Sequence, residues 1–264
     1  MISKVSAELK FLRQFRKENG LYGYLDYRIR RFRGLNDPIS VWSQGRRYRL
    51  RPTGPDLTVA RTARAEFSAL ANLYPRKQTG VIIDAGGFIG SAALQLARHY
   101  PNARILTIEP SSENFALLQE NTAPFPQIEP IHAALCPDGA PPTLALQDRK
   151  TGPWGFSVAA TGAQDLEQVP TLPISALMER VGSEEILIFK MDIEGAETPL
   201  LTPGAEWLAR SRVLMIELHE RIVPGCEAAF FTANADRCVL SSGGEKFISV
   251  GAPFFAKRPL ARVA

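Results

Sequence analysis

The chain has 264 residues, 45% of them hydrophobic and 22% charged, with a formal net charge of +4. That length and composition suit one α/β domain with an appendage, and they exclude a collagen, a low-complexity polymer or a bundle of membrane spans, since no long apolar run occurs. The charge is uneven: residues 1–52 hold thirteen Lys and Arg against four acids, or +9, while the remaining 212 carry eighteen against twenty-three, or −5.

At the N-terminal end, Ile2, Val5, Leu9, Leu12 and Phe15 recur at three- and four-residue steps among Lys4, Lys10, Arg13, Arg16 and Lys17. This spacing predicts a basic amphipathic helix ending near Asn19-Gly20. Its charges run throughout, so a cleaved signal peptide is not expected. Leu21 to Phe32 adds Tyr22, Tyr24 and Tyr27 with Arg28, Arg30, Arg31 and Arg33. The preferred reading is a helical appendage whose apolar stripe packs on the main domain or on a twin subunit, with solvated arginines. The sharper one is a surface for an anionic partner, such as a membrane surface, an acyl carrier or a sugar phosphate. No nucleic-acid motif accompanies the charge, and nucleic acid is not an expected partner. Ile39 to Trp42 and Arg46 to Leu50 flank a Ser43-Gln44-Gly45 turn and read as a hairpin. The loop Arg51 to Asp56 follows, then a helix from Thr58 to Leu73. The appendage is therefore placed at 1–57 and the main domain at 58–264.

From Val81 the alternation is regular. Strands are expected at Val81–Asp84, Arg104–Ile108 and Glu129–Ala134, with helices at Ser91–His99 and Ser112–Asn121 between them. Such alternation means a parallel sheet with helices on both faces. Residues 137–172 break the rhythm with a series of prolines and glycines, and read as an insertion or hairpin lying over the site. Helix Ile174–Val181, strand Glu185–Met191, a short helical stretch Thr198–Leu208, strand Arg212–Leu218, helix Glu227–Asn234 and strands Cys238–Ser242 and Lys246–Val250 complete the fold. Three scattered cysteines form neither a disulfide framework nor a zinc site, and point to a cytoplasmic protein, with membrane association through the basic region as a variant.

The chemistry starts at VIIDAGGFIG, Val81 to Gly90. A buried strand ends in Asp84, and Gly86, Gly87 and Gly90 line the turn into a helix whose first N–H groups are unpaired. Glu109 ends the next strand, where a carboxylate can take both hydroxyls of a ribose. The glycines do not follow the dinucleotide spacing, and Asp84 would repel a pyrophosphate but favour a cation. S-adenosylmethionine thus fits better than NAD. A second cluster, Lys190-Met191-Asp192-Ile193-Glu194-Gly195-Ala196-Glu197, follows another buried strand, and His219 follows a third. Ligands sit beyond such strand ends, so these groups should face the glycine loop.

These stretches, together with IEPSSEN, Asn121 and IELH, resemble the FkbM family of S-adenosylmethionine-dependent methyltransferases. The resemblance implies a class I methyltransferase fold, Rossmann-like, with a seven-stranded sheet whose last strand is antiparallel. It also implies O-methylation of sugar or polyketide hydroxyls. Phe88 stands where the family commonly has Asn, and the first fifty residues lie outside the resemblance. By position, Glu109 is assigned to the ribose, Gly86, Gly87 and Gly90 to the methionine portion, Asp84 to its ammonium directly or through water, and Asn114 and Ala134 to the flanks of the adenosine. Asp192 would meet the ammonium or the acceptor hydroxyl. The candidate bases are His219, Glu194 and Asp192, in that order. A divalent metal held by Asp192, Glu194 and His219 is the less favoured arrangement. The alternatives in function are a cofactor-binding protein without turnover and an NAD-dependent oxidoreductase. The acceptor would be a small molecule or glycan, and a homo-oligomer is compatible with the appendage.

Overall fold

The computed structural model describes residues 2–67, 78–148, 155–159 and 165–252. It opens with α1 (Ile2–Arg33), broken at Gly20 where φ is +68°, as the Asn19-Gly20 stop predicts. The antiparallel hairpin β1 (Ile39–Ser43) and β2 (Arg46–Leu50) follows, then α2 (Asp56–Glu66). The expected continuation of that helix from residue 68 lies outside the described residues. Next come β3 (Gly80–Ala85), α3 (Ser91–His99), β4 (Ala103–Glu109), α4 (Ser112–Thr122) and β5 (Ile128–His132). After β6 (Ala134–Cys136), β7 (Thr143–Asp148), β8 (Phe156–Ala159) and β9 (Asp165–Pro173) come α5 (Ile174–Val181) and β10 (Ile186–Met191). The chain continues through α6 (Glu206–Arg210), β11 (Ser211–Glu217), α7 (Cys226–Ala233), β12 (Cys238–Gly243) and β13 (Lys246–Val250).

Seven strands form the central sheet in the order β12-β13-β11-β10-β3-β4-β5, parallel except for β13, which runs antiparallel to both neighbours. Every residue of β10 is buried, as is all of β3 after Gly80, because helices cover both faces. One core layer joins Ile82, Ile105 and Ile188 to α3. The other joins Ile83, Leu106 and Phe189 to α5 and α7. Phe15, Tyr27, Val41, Tyr48 and Leu50 belong to the first layer, so the N-terminal region packs on the sheet through its inner side chains. The chain leaves β3 for β4 on one side and reaches β10 on the other. The carboxyl ends of β3 and β10 therefore mark the switch point, where open sheets bind ligands.

Several expected elements change shape. The strand expected at Glu129–Ala134 divides: β5 stays in the main sheet, while β6 starts a separate one of order β6-β9-β7-β8. Within the expected insertion, β9 is the strand that the prolines conceal. Pro170 pairs with the first residue of β7 and Pro173 with the last of β6, so both stand where pairing ends. The helical stretch expected at Thr198–Leu208 is a 3-10 turn, Thr198–Leu200, and then α6, separated by Thr202-Pro203-Gly204.

Candidate active site

The glycine loop after β3 is shaped by packing. Gly86 has φ +85°, and a Cβ there would lie 1.8 Å from the carbonyl oxygen of Asp192, so only glycine lets the loop close onto the end of β10. A Cβ on Gly87 would lie 2.4 Å from Thr107 Oγ1 and 2.6 Å from Leu118 Cδ1. Gly90 begins α3 at φ +85°, packs near Thr122, and does not border the cavity beside the loop. Phe88 occupies φ +50°, a left-handed conformation that Asn tolerates and bulky residues avoid. Its ring is covered by the Arg51 guanidinium at 5.6 Å, and its N–H donates to Glu109 Oε2 at 2.8 Å.

Glu109, buried at the end of β4, also accepts on Oε1 from the Ser111 N–H (3.0 Å) and Asn114 Nδ2 (3.1 Å). A carboxylate offers roughly four lone-pair positions, so three are filled and the free one is on Oε2. Burial pushes the Glu109 carboxyl up to about 7, against the pull of the bonds from Asn114, Ser111 and Phe88. Asn114 is itself held: its Oδ1 accepts from Arg51 Nη2 at 2.7 Å, and Arg51 is locked to the fully buried Asp56 at 3.0 Å. The Arg51 to Asp56 loop thus sets the position of Glu109 through Asn114. Asn121 does the same for the glycine loop, donating to the Ile89 carbonyl while exchanging bonds with the Arg49 backbone.

A cavity of about 440 Å³ opens over these strand ends, bordered by Gly86, Gly87, Phe88, Glu109, Asn114 and Ala134 on one side. Ser91, the first residue of α3, also lines it. Its buried Oγ has no hydrogen-bond partner among the described residues. Sequence reasoning passed over Ser91, although the first residue of a helix behind a glycine loop is the place for a ligand contact. Asp84 is a correction: it is fully buried and does not border the cavity. The parallel register sets Lys190 beside it, with Nζ 3.2 Å from Asp84 Oδ1, and Thr107 Oγ1 donates to Oδ2 at 3.0 Å. Lys190 also donates to the Gly86 carbonyl and lies 3.7 Å from Asp192. Asp84 therefore orients Lys190 and has no direct contact with the cavity.

The opposite wall comes from the turn after β10. Glu194 sits at φ +52° and Gly195 at φ +97°, which folds the turn around the fully buried Glu197. Its carboxylate accepts from the Ile193 and Gly195 N–H groups (3.1 and 2.9 Å) and faces His219 Nδ1 at 2.9 Å. His219 Nε2 lies 3.3 Å from Glu194 and 3.9 Å from Asp192. Burial alone would lower the imidazole, but Glu197, Glu194 and Asp192 overcome it and push it up to about 9. Burial pushes Glu194 up to about 7 despite the His219 charge. Burial and Asp192 also raise Glu217, which pairs with Lys246 at 3.1 Å. Ligand atoms of Asp192, Glu194 and His219 lie within 4.8 Å of one another, donor types that suit a divalent ion. The protonated imidazole already supplies positive charge between the carboxylates. Asp192, Glu194 and Glu217 border the cavity, whereas His219, 1% exposed, stands behind them.

The methyltransferase FkbM domain model matches residues 84–234, more than half of the chain. No curated protein matches it in sequence. Among solved structures the chain is similar to precorrin-6y C5,15-methyltransferase from Geobacter metallireducens, at 12% identity over 70% of this chain and 87% of that one, with a TM-score of 0.41. A methyltransferase from Geobacter sulfurreducens gives 14% identity, 72% and 77% coverage and a TM-score of 0.39. M. jannaschii TYW2 in complex with AdoMet gives 13%, 81% and 84%, and 0.39. The fold itself rests on the sheet: seven strands, parallel except for β13, are the class I methyltransferase arrangement that the sequence resemblance implies. The family match runs through the glycine loop, Glu109, the Asp192–Glu197 turn and His219, and with it the chain belongs to the FkbM methyltransferase family.

Proposed function

We propose that the protein uses S-adenosylmethionine to methylate a hydroxyl of a sugar, polyketide or related small acceptor. One observation carries the reading: a single cavity is bordered by Glu109, a buried carboxylate with an unfilled acceptor position, and by Glu194, a carboxyl pushed up to about 7. The first suits a ribose hydroxyl, and the second exchanges a proton near neutral pH. The residues present fit the cofactor. Glu109 would take the ribose, Ala134 would border the adenosine, and the Gly86–Phe88 backbone with Ser91 Oγ would hold the methionine portion. Asn114 serves by positioning Glu109, and Asp192 would meet the ammonium or the acceptor hydroxyl. When bound, the cofactor supplies an electrophilic methyl group on a sulfonium.

The chain's own task is to hold an acceptor oxygen in line and to remove its proton. Glu194 fits the second part better than His219. A protonated imidazole has no lone pair to accept with, and His219 lies behind the cavity wall. His219 is instead a positioning residue that holds Glu194 and Asp192. Val59, Ala63, Phe156 and Val158 give the cavity apolar walls that limit water near the reacting groups. Labelled methyl transfer to a panel of hydroxylated acceptors tests this reading. Glu194→Gln should abolish turnover while cofactor affinity measured by calorimetry stays near normal. Full activity in that variant would remove Glu194 from its role, and binding of NAD in preference to S-adenosylmethionine would overturn the whole assignment.

A further inference from the structure

We propose that the second half of α1 is a docking surface for an anionic phospholipid bilayer. Gly20 breaks α1 at φ +68°, and Gly34 at φ +69° ends it, with the Leu35 N–H donating to the Arg30 carbonyl at 2.9 Å. Leu21 to Arg33 is thus a discrete helix. Its inner face is fixed by Tyr27, which is buried, and by Tyr24, whose rings stand 5.0 and 6.5 Å from Phe15. With that face pinned, the outer one is determined. At about 100° per residue, Leu21, Tyr22, Leu25, Ile29 and Phe32 fall within an arc of roughly 100°. All five are exposed, Tyr22 at 92% and Phe32 at 93%. A contiguous apolar stripe left in water at this scale marks an interaction surface.

Charge selects the partner. The same helical geometry sets Arg28 at one border of the stripe and Arg33 at the other, and among the described residues no carboxylate forms a salt bridge with either. Around them residues 1–52 carry +9. A second copy meeting this face through its own would bring these like charges together. An anionic bilayer complements them, with arginines at the headgroups and Leu, Ile and Phe below. Among the described residues no helix is long and apolar enough to cross a membrane, so the contact is one of lying on the surface. This inference does not depend on the acceptor or on methyl transfer.

The test is flotation of the full chain with vesicles of phosphatidylcholine alone or with about one third phosphatidylglycerol. Binding at least about tenfold tighter to the anionic vesicles, weakened by added salt, is expected. Phe32→Ser and Leu25→Asp should each cut that binding severalfold with unchanged circular dichroism and melting temperature. Arg28→Gln with Arg33→Gln should reduce the preference for anionic vesicles severalfold. Equal binding to both compositions, or variants that bind like the parent, would overturn the proposal. So would a dimer in sedimentation that Phe32→Ser converts to monomer, since the stripe would then belong to a second copy.

Discussion

Glu109→Gln separates what the buried carboxylate costs the fold from what it gives the cofactor. In the ligand-free protein, burial moves this carboxyl from 4.5 to about 7. The folded state therefore binds the proton more tightly than the unfolded state. Stability is fully present below the unfolded value and is lost as pH rises through about 7. Linkage puts the loss at roughly 2–3 kcal/mol between about pH 5 and pH 8, with the unfolded value taken as the ordinary one. Glutamine does not titrate, so the difference in unfolding free energy between variant and parent should grow by that amount over the range. Lost bonds from Phe88, Ser111 or Asn114 add only a constant offset. Urea unfolding at several pH values measures the difference, and calorimetry measures S-adenosylmethionine affinity on the same samples. Parent affinity should rise with pH until about 7 and then level, because the ionised form accepts from the ribose. The variant should bind with little dependence on pH, ~30-fold or more below the parent above pH 7, since charged hydrogen bonds are worth about 1.5–3 kcal/mol each. A parallel pH slope in both proteins would refute the buried-charge argument, and unchanged affinity would refute the cofactor role.

The other predictions concern the facing wall and the loop. Turnover at saturating cofactor should rise as Glu194 loses its proton near 7 and fall as His219 loses its own near 9; a pH profile without the upper limb would refute the positioning role. His219→Gln should cost about 3 kcal/mol at neutral pH, because it leaves Glu197 buried beside an uncharged group, and should lower turnover with cofactor affinity intact. That contribution is greatest below the ordinary histidine value and is lost as pH rises through about 9. Chelation of divalent ions should leave turnover unchanged, and activity restored by magnesium after chelation would transfer the Asp192–Glu194–His219 cluster to a cation. In urea melts Gly86→Ala should cost at least about 3 kcal/mol and Gly90→Ala about 1, because only the first drives a Cβ into backbone.

How much of this was readable in the chain follows from range. The apolar strands Val81–Ile83 and Ile186–Phe189, and the helices between them, announce themselves through local periodicity, and the parallel sheet follows. Glu109 is legible because its place at a strand end is itself a local fact. Asp84 is at a strand end too, yet its partner depends on strand register, which sets it beside Lys190, 106 residues later. β9 was hidden because Pro170 and Pro173 read as loop, and only its pairing partners show that both stand where the ladder stops. Phe88 is the converse case. Its departure from the family's Asn was visible, while its left-handed φ and the Arg51 guanidinium over its ring were not.

The acids divide by what surrounds them rather than by where they fall along the chain. Glu194 and Glu197 are three residues apart in one turn, yet they do opposite jobs. Glu197 is fully buried, bound by two backbone N–H groups and facing an imidazolium, and it does not border the cavity, so it is out of a substrate's reach. Glu194 borders the cavity, among the described residues no backbone N–H bonds its carboxylate, and its carboxyl is pushed up to about 7. His219 links the two: its Nδ1 is held by Glu197, and this directs its Nε2 toward Glu194. Removing Glu197 should then act through His219. Glu197→Gln should lower the pH at which turnover falls on the alkaline side, because the imidazole loses the neighbour that most strengthens its hold on the proton. A variant whose alkaline limb stays near 9 would show that Glu197 only shapes the turn.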